Sequence, residues 1–236
     1  SVATGSGESF YAPSAYSLLA AYHKKTRSVA MSVHQAALYI GVMSSGFLAG
    51  WVAENWGWRS AFYVFGAVGV LLGLVFVFRL RDAPQAEGRP ALAETAKPTF
   101  GEAVRVLART PSALLLTVGF CAIVFVNNAY VVWAPAFVQH TFNLTMTQAG
   151  GGAMFYHHAA AFAAIMLGGV VTDRMVSACP SFRLRLQGVA LLLGAPMIYW
   201  VGVAGQIGMT WTAMAAFGFF RGLFETNTHA SLFDVV

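Results

Sequence analysis

The chain has 236 residues, of which 58% are apolar and 10% charged, and its mean hydropathy is +0.64. A soluble globular domain carries about 25% charged residues, so this composition excludes that class and indicates a polytopic helical membrane protein. The formal net charge of +5 does not indicate nucleic-acid binding, because the basic residues lie in short connectors between apolar runs rather than on one amphipathic face.

Three apolar segments open the chain, and each is long enough to cross a bilayer. They cover residues 2–22, 28–50 and 60–78. The second and third are joined by a short aromatic connector, residues 51–59, of the kind found at a headgroup interface. Gly46 and Gly50 stand four residues apart near the end of the second segment. This spacing of small residues predicts close contact between helix backbones.

Residues 80–110 differ from the apolar segments, because they are rich in alanine, proline and charge. They are predicted to form a linker between two helix bundles. Thr99 and Glu102 make a capping-box pattern in this linker, which predicts one short amphipathic helix. That helix either lies on the membrane surface or is solvated.

Four apolar segments follow the linker, which brings the prediction to seven transmembrane helices in an all-α membrane protein. They cover residues 111–135, 149–171, 186–205 and 208–236. The second of them places Ala160, Ala164 and Gly168 on one helix face, which is predicted to pack on another helix because lipid gives small side chains no reason to align. His157 and His158 point in different directions on the same helix, so at most one is predicted to face a cavity.

Lysine and arginine are concentrated in every second connector along the chain. Residues 23–27, 79–109 and 174–185 hold twelve of them, whereas the other connectors hold one, Arg59. By the positive-inside rule the three basic connectors are predicted to be cytoplasmic. The remaining basic residue, Arg221, is the exception, because it lies within the last apolar segment.

Three ionisable residues interrupt the last apolar segment: Arg221, Glu225 and His229. Their four-residue spacing puts them on one face of a helix. Ionisable groups are costly at bilayer depth unless they face a bundle interior or a water-filled cavity, so this stripe is a candidate functional site. The alternative for Arg221 and Glu225 is a buried ion pair that only supports the structure.

The start of the chain repeats this pattern. Residues 5–9, Gly-Ser-Gly-Glu-Ser, match residues 222–226, Gly-Leu-Phe-Glu-Thr, so that Glu8 and Glu225 are equivalent. Glu8 is therefore predicted to have a coupling or substrate role, the alternative being a structural hydrogen bond to a neighbouring helix.

His34, Asn127 and Asn128 are further polar residues within apolar segments. His34 and His229 either carry protons, because imidazole titrates near neutral pH, or form hydrogen bonds at the membrane interface. Asn127 and Asn128 either line a solute path or hold helices together. No Cys, Asp or Glu stands at ligand spacing around a histidine, so neither a metal site nor a cofactor is predicted.

Four motifs stand at the ends of predicted segments. They are Gly-Ser-Gly-Glu-Ser-Phe-Tyr-Ala-Pro at residues 5–13, Arg27 before Ala-Met-Ser at 30–32, Gly-Trp-Arg-Ser-Ala-Phe at 57–62, and Gly-Val-Val-Thr-Asp-Arg at 169–174 followed by Arg183 and Arg185. Together with the linker they resemble the major facilitator superfamily, in its Spinster-like or organic anion:cation symporter branches. The resemblance implies helices four to ten of the usual twelve, in a fold of two bundles.

The resemblance also implies a domain division and site roles. Residues 1–79 would be the last three helices of the N-terminal bundle, 80–110 a cytoplasmic linker, and 111–236 the first four helices of the C-terminal bundle. Glu8 would couple transport to protons. A cytoplasmic gate would be formed by Asp173, Arg174, Arg183 and Arg185. The solute would bind near the midplane, in contact with Arg221, Glu225, Asn127, Asn128, His34 and His229.

The expected function is secondary active transport of a small organic solute by alternating access, with proton coupling and without an enzymatic reaction. Arg221, as a buried cation, favours an anionic solute. The expected partners are the solute, protons, the bilayer of the plasma (inner) membrane, and five further helices of the same protein, three before this stretch and two after it. Two alternatives stay open: a seven-helix receptor, and an intramembrane enzyme, for which the sequence shows no nucleophile or metal cluster.

Overall fold

The structure is a computed structural model, and most of the described residues are helical. It describes residues 11, 14–16, 18, 19, 21, 22, 27–79, 101, 105, 109–176, 178, 179 and 181–235. Among them no strand occurs, and six helices have defined ends. These are α1 (Arg27–Trp56), α2 (Trp58–Arg79), α3 (Pro111–Phe142), α4 (Met146–Val176), α5 (Phe182–Val203) and α6 (Ile207–Val235). The predicted all-α class is confirmed.

Five helices of the described part are long and apolar enough to cross a membrane. These spans are Val33–Trp56, Trp58–Arg79, Pro111–Phe142, Met146–Val176 and Phe182–Val203. The described residues between 11 and 22, within the first predicted segment, are helical as well. The last predicted segment corresponds to α6, which has 29 residues and carries Arg221 and Glu225 within its apolar run.

Contacts divide the chain into two compact units. The first consists of Ser1–Ile40 and Phe62–Ala96, and the second of Gly41–Ala61 and Lys97–Val236. The last part of α1 therefore belongs to the same unit as α3 to α6. The division into residues 1–79, 80–110 and 111–236 stays a prediction. Thr99 and Glu102 of the predicted linker helix lie outside the described residues.

The core of the second unit is formed by α3, α4, α5 and α6. Its buried apolar residues are Tyr130, Ala134, Val138, Ala149, Ala153, Met154, Val201, Ala213, Met214 and Phe217. The Tyr130 hydroxyl donates a hydrogen bond to the carbonyl oxygen of Ala153 at 2.7 Å. This bond satisfies the polar end of a buried aromatic side chain and ties α3 to α4.

α4 and α6 approach each other through small residues. Gly222 of α6 lies against the carbonyl oxygen of Ala161 and the methyl group of Ala164, so that a side chain at this glycine would overlap α4. Ala164 and Gly168 are both buried on this face. The predicted packing face is thereby confirmed, although Ala161 is fully buried and Ala160 is only half-buried.

α3 continues past Pro135, where the predicted segment ends. Proline is tolerated inside a membrane helix when neighbouring groups satisfy the freed carbonyl, and Val138, beyond it, is fully buried in the core. The helix ends at Asn143, which has φ 51° and ψ 41° and donates its N–H to the carbonyl oxygen of Gln139. Asparagine is one of the few residues that adopt this left-handed conformation readily.

The connector between α1 and α2 is also shorter than predicted. α1 continues to Trp56, through most of the aromatic stretch that was expected to be a connector. Gly57, with φ 82°, makes the turn by itself, because glycine adopts positive φ at little cost. Helices extend beyond the apolar residues because intrahelical hydrogen bonds satisfy the backbone on both sides of the membrane boundary.

Candidate functional site

A cavity in the second unit lies between α3 and α6. Its lining combines four apolar side chains with three polar ones: Phe120, Ile123, Val124, Phe224, Asn127, Arg221 and Glu225. Such a mixture of apolar walls and a few polar groups is typical of a small-molecule site. Three of the predicted substrate-binding residues, Asn127, Arg221 and Glu225, therefore meet in one place.

Arg221 and Glu225 form an ion pair along α6. The distance from Nη2 of Arg221 to Oε2 of Glu225 is 3.0 Å, and the side chains are 16% and 34% exposed. The pair compensates the charges of both residues within the cavity. Nη1 of Arg221 is buried and has no hydrogen-bond partner among the described residues. An N–H group in this position is expected to find a partner, because leaving it unsatisfied is costly.

Asn127 and Asn128 have different surroundings. Oδ1 of Asn127 lies 3.3 Å from Nε2 of His157, on the neighbouring helix α4. Asn128 is exposed, and its Nδ2 donates to the carbonyl oxygen of Val124 one turn earlier in α3, at 2.9 Å. The structure therefore brings Asn127, and not Asn128, to the cavity that Arg221 lines.

His157 and His158 are both buried, and neither is among the residues that line this cavity. The ring of His157 lies between those of Tyr130 and Phe217, with centroid distances of 4.5 and 5.2 Å. Nδ1 of His158 is 2.9 Å from the carbonyl oxygen of Met154, to which it donates. His157 was not among the predicted site residues. The sequence pattern that could have identified it is an imidazole on a helix face of small residues, because such a face is buried against other helices.

His34 belongs to the first unit. Its ring packs against Tyr11 and Tyr16, with centroid distances of 5.8 and 5.5 Å. The Tyr16 hydroxyl donates a hydrogen bond to Oε1 of the adjacent Gln35 at 3.2 Å. His34 thus forms an aromatic and polar cluster between the first predicted segment and α1.

Several predicted site residues are not described, or are described without their side chains. Glu8, and the side chains of His229 and Asp173, lie outside the described residues. Of the other predicted gate residues, Arg174 and Arg185 are exposed and Arg183 is half-buried. All three stand next to the connector between α4 and α5, and their role as a gate stays a prediction.

A second set of contacts joins the end of α1 to the beginning of α4. Gly46 lies against the carbonyl oxygen of Gly150, and Gly50 lies against the backbone of Thr147. The close backbone approach predicted from the two glycines of α1 is therefore confirmed. One turn further along α1, the Glu54 carboxylate accepts hydrogen bonds from Thr147. This contact was not predicted, because no local pattern connects two residues so far apart in the sequence.

Comparison with known proteins identifies the family. The family model described as Major Facilitator Superfamily matches residues 1–236. "Protein spinster homolog 1" of Homo sapiens is 33% identical over 141 residues, which cover 57% of this chain and 26% of that protein. An "MFS-type efflux pump" of Mycolicibacterium smegmatis is 24% identical over 191 residues, 80% of this chain and 44% of the pump.

A solved structure has the same fold. It is a bacterial homolog to the human lysosomal transporter Spinster, in an inward-facing and unoccupied conformation. Its TM-score is 0.73 at 20% sequence identity, and the match covers 93% of this chain and 52% of that one. The chain spans about a quarter of the length of the Spinster relatives that it matches. By its sequence along the whole chain and by its fold, the chain belongs to the Major Facilitator Superfamily and is Spinster-like.

Proposed function

We propose that this chain belongs to a secondary active transporter, which moves a small organic solute with an anionic group by alternating access and is driven by protons. Membership of the Major Facilitator Superfamily supports transport rather than a receptor or an intramembrane enzyme. In transporters built from repeated bundles, the solute site lies near the midplane between helices of the bundles.

The environment of Arg221 supports the proposal that the solute carries an anionic group. Its Nη1 is buried, has no partner in the described part of the chain, and belongs to a side chain that lines the cavity. A carboxylate or a similar oxyanion is the partner that a guanidinium N–H binds most strongly. Phe120 and Phe224 line the same cavity, and they favour a solute with an apolar or aromatic body.

The charge of Glu225 supports proton coupling. Because Glu225 already compensates Arg221, an anionic solute would add one uncompensated negative charge at membrane depth. A proton that enters with the solute removes this excess. Glu8 is proposed to carry the coupling proton, since its sequence motif repeats that of Glu225.

The remaining parts of the proposal rest on sequence patterns. Asp173, Arg174, Arg183 and Arg185 form the cytoplasmic gate, and the protein resides in the plasma membrane. His34 and His229 contact the solute during part of the cycle, whereas Asn128, which is exposed and bonds within α3, does not.

The test is counterflow in proteoliposomes that contain the full-length protein, with organic carboxylates each paired with its primary amide. The wild type should exchange a carboxylate and not the matching amide. Arg221→Ala should abolish this exchange, whereas Arg59→Ala, which removes an exposed cation outside the cavity, should not. Equal exchange of carboxylates and amides by the wild type would show that the anionic part of the proposal is wrong.

A further inference from the structure

His157 is held in place from several sides. It is 0% exposed, and its ring packs between Tyr130 of α3 and Phe217 of α6. Its carbonyl oxygen lies against Gly218, so that the backbones of α4 and α6 touch at this point. A side chain packed in this way has little freedom to change its rotamer.

The hydrogen bond between His157 and Asn127 has a defined donor and acceptor. Oδ1 of Asn127 has no hydrogen to donate, so the hydrogen of the 3.3 Å bond comes from Nε2 of His157. A neutral imidazole carries one N–H, and this bond favours the tautomer that carries it on Nε2. The bond also determines how the amide of Asn127 is turned, because its oxygen is held towards α4.

The N–H₂ group of the Asn127 amide is left to bind a partner in the cavity. Asn127 is one of the lining residues, and its Nδ2 has no acceptor in the described part of the chain. Arg221 lines the same cavity from the facing helix α6, and its guanidinium carries a buried Nη1 that has no hydrogen-bond partner among the described residues. The two helices therefore supply N–H groups from both sides, which suits a group with two acceptor oxygens.

We propose that His157 is a specificity-determining positioning residue: it holds the oxygen of Asn127, so that the amide N–H₂ and the Arg221 guanidinium together select a carboxylate on the solute. His157 does not contact the solute itself and acts through Asn127. This inference rests on the proposed function, because it assigns the polar partners of the solute in the same cavity.

The first experiment measures the tautomer without any solute. Nitrogen-15 NMR of the full-length protein, labelled at histidine and assigned by comparison with His157→Phe, should show the proton on Nε2 of His157. Asn127→Leu should shift that resonance, whereas Asn128→Leu, at the adjacent exposed position, should leave it in place. A proton on Nδ1 with a bare Nε2 would overturn the inference, since the asparagine would then donate to the ring and turn its oxygen towards the cavity.

The second experiment measures specificity. Benzoate and benzamide serve as probes, because they share an aromatic ring that suits Phe120 and Phe224 and differ in the polar group. Calorimetry on the full-length protein should show that His157→Phe weakens benzoate binding about tenfold, the loss expected for one hydrogen bond to a charged group. Benzamide binding should change much less, and His157→Gln, which restores an N–H donor, should recover part of the affinity for benzoate.

A double-mutant cycle separates positioning from a structural role. In the Asn127→Leu background, His157→Phe should have no further effect on benzoate, because the residue through which it acts is gone. An equal loss in both backgrounds would overturn the inference. If the wild type binds benzoate no more tightly than benzamide, the anionic-solute proposal is wrong, and the tautomer measurement still decides whether His157 positions Asn127.

Discussion

The Glu54 carboxylate near the end of α1 binds both the backbone and the side chain of Thr147 at the beginning of α4. Its Oε1 is 2.8 Å from the backbone nitrogen of Thr147, and its Oε2 is 2.7 Å from the threonine hydroxyl oxygen. The first turn of a helix has N–H groups without intrahelical partners, and a negative charge there is favoured by the helix dipole. Glu54 therefore caps α4 from another helix.

Removal of this cap should weaken the contact between α1 and α4. Glu54→Ala is expected to lower the thermal midpoint of the purified full-length protein by a few degrees. The loss should shrink at high salt, because Glu54 is exposed and its charge is screened. Asn55→Ala is the matched control, since its side chain bonds to the carbonyl oxygen of Trp51 within α1. An equal effect of both variants would contradict a specific cap.

The contact between Gly46 and Gly150 leads to a second prediction about α1 and α4. Gly46→Ala places a methyl group against the carbonyl oxygen of Gly150, so α1 and α4 must separate and the thermal midpoint should fall. Gly41→Ala on the same helix meets nothing within 4 Å, and it should be neutral or slightly stabilising because alanine favours helix. A neutral Gly46→Ala would mean that these backbones are not in contact in the membrane.

The distribution of basic residues predicts the orientation in the membrane. Asn143, in the connector between α3 and α4, should be outside, and Arg185, near the start of α5, should be cytoplasmic. Single cysteines at these two exposed positions, in a background without Cys121 and Cys179, can be labelled with an impermeant thiol reagent from each side. Labelling of Asn143→Cys from the cytoplasmic side alone would reverse the orientation.

The proposed coupling role of Glu8 predicts a specific separation of two activities. Glu8→Gln keeps the size of the side chain but cannot release or take up a proton. In proteoliposomes with the full-length protein it should lose accumulation driven by a proton gradient and keep part of its counterflow exchange. Arg221→Ala should lower both together, because it removes the solute partner and leaves Glu225 without its ion pair. Full gradient-driven accumulation by Glu8→Gln would show that Glu8 does not carry the coupling proton and has a structural role instead.

Composition, charge and local spacing determined the class of the protein and part of the site. The low charged fraction and the long apolar segments were sufficient for an all-α membrane protein. The ion pair of Arg221 and Glu225 was also predictable, because residues four apart are neighbours on any helix. The same local rule predicted the small-residue faces of α1 and α4 that pack against other helices.

The ends of the helices were less predictable. Apolarity shows which residues lie in the hydrocarbon, whereas a helix continues as long as its backbone hydrogen bonds and its packing persist. Pro135 therefore did not end α3, and the aromatic stretch before Gly57 became part of α1.

Only the tertiary structure decided which polar residues share a cavity. Asn127 and Asn128 are equivalent by sequence, and the rotation of α3 against α4 and α6 places Asn127 beside His157 and in the cavity of Arg221. Likewise, Glu54 and Thr147 are 93 residues apart, and their contact depends on the approach of α1 to α4. Helical periodicity shows which residues share a face, whereas the neighbour that covers this face is decided by packing between helices, which depends on many side chains at once.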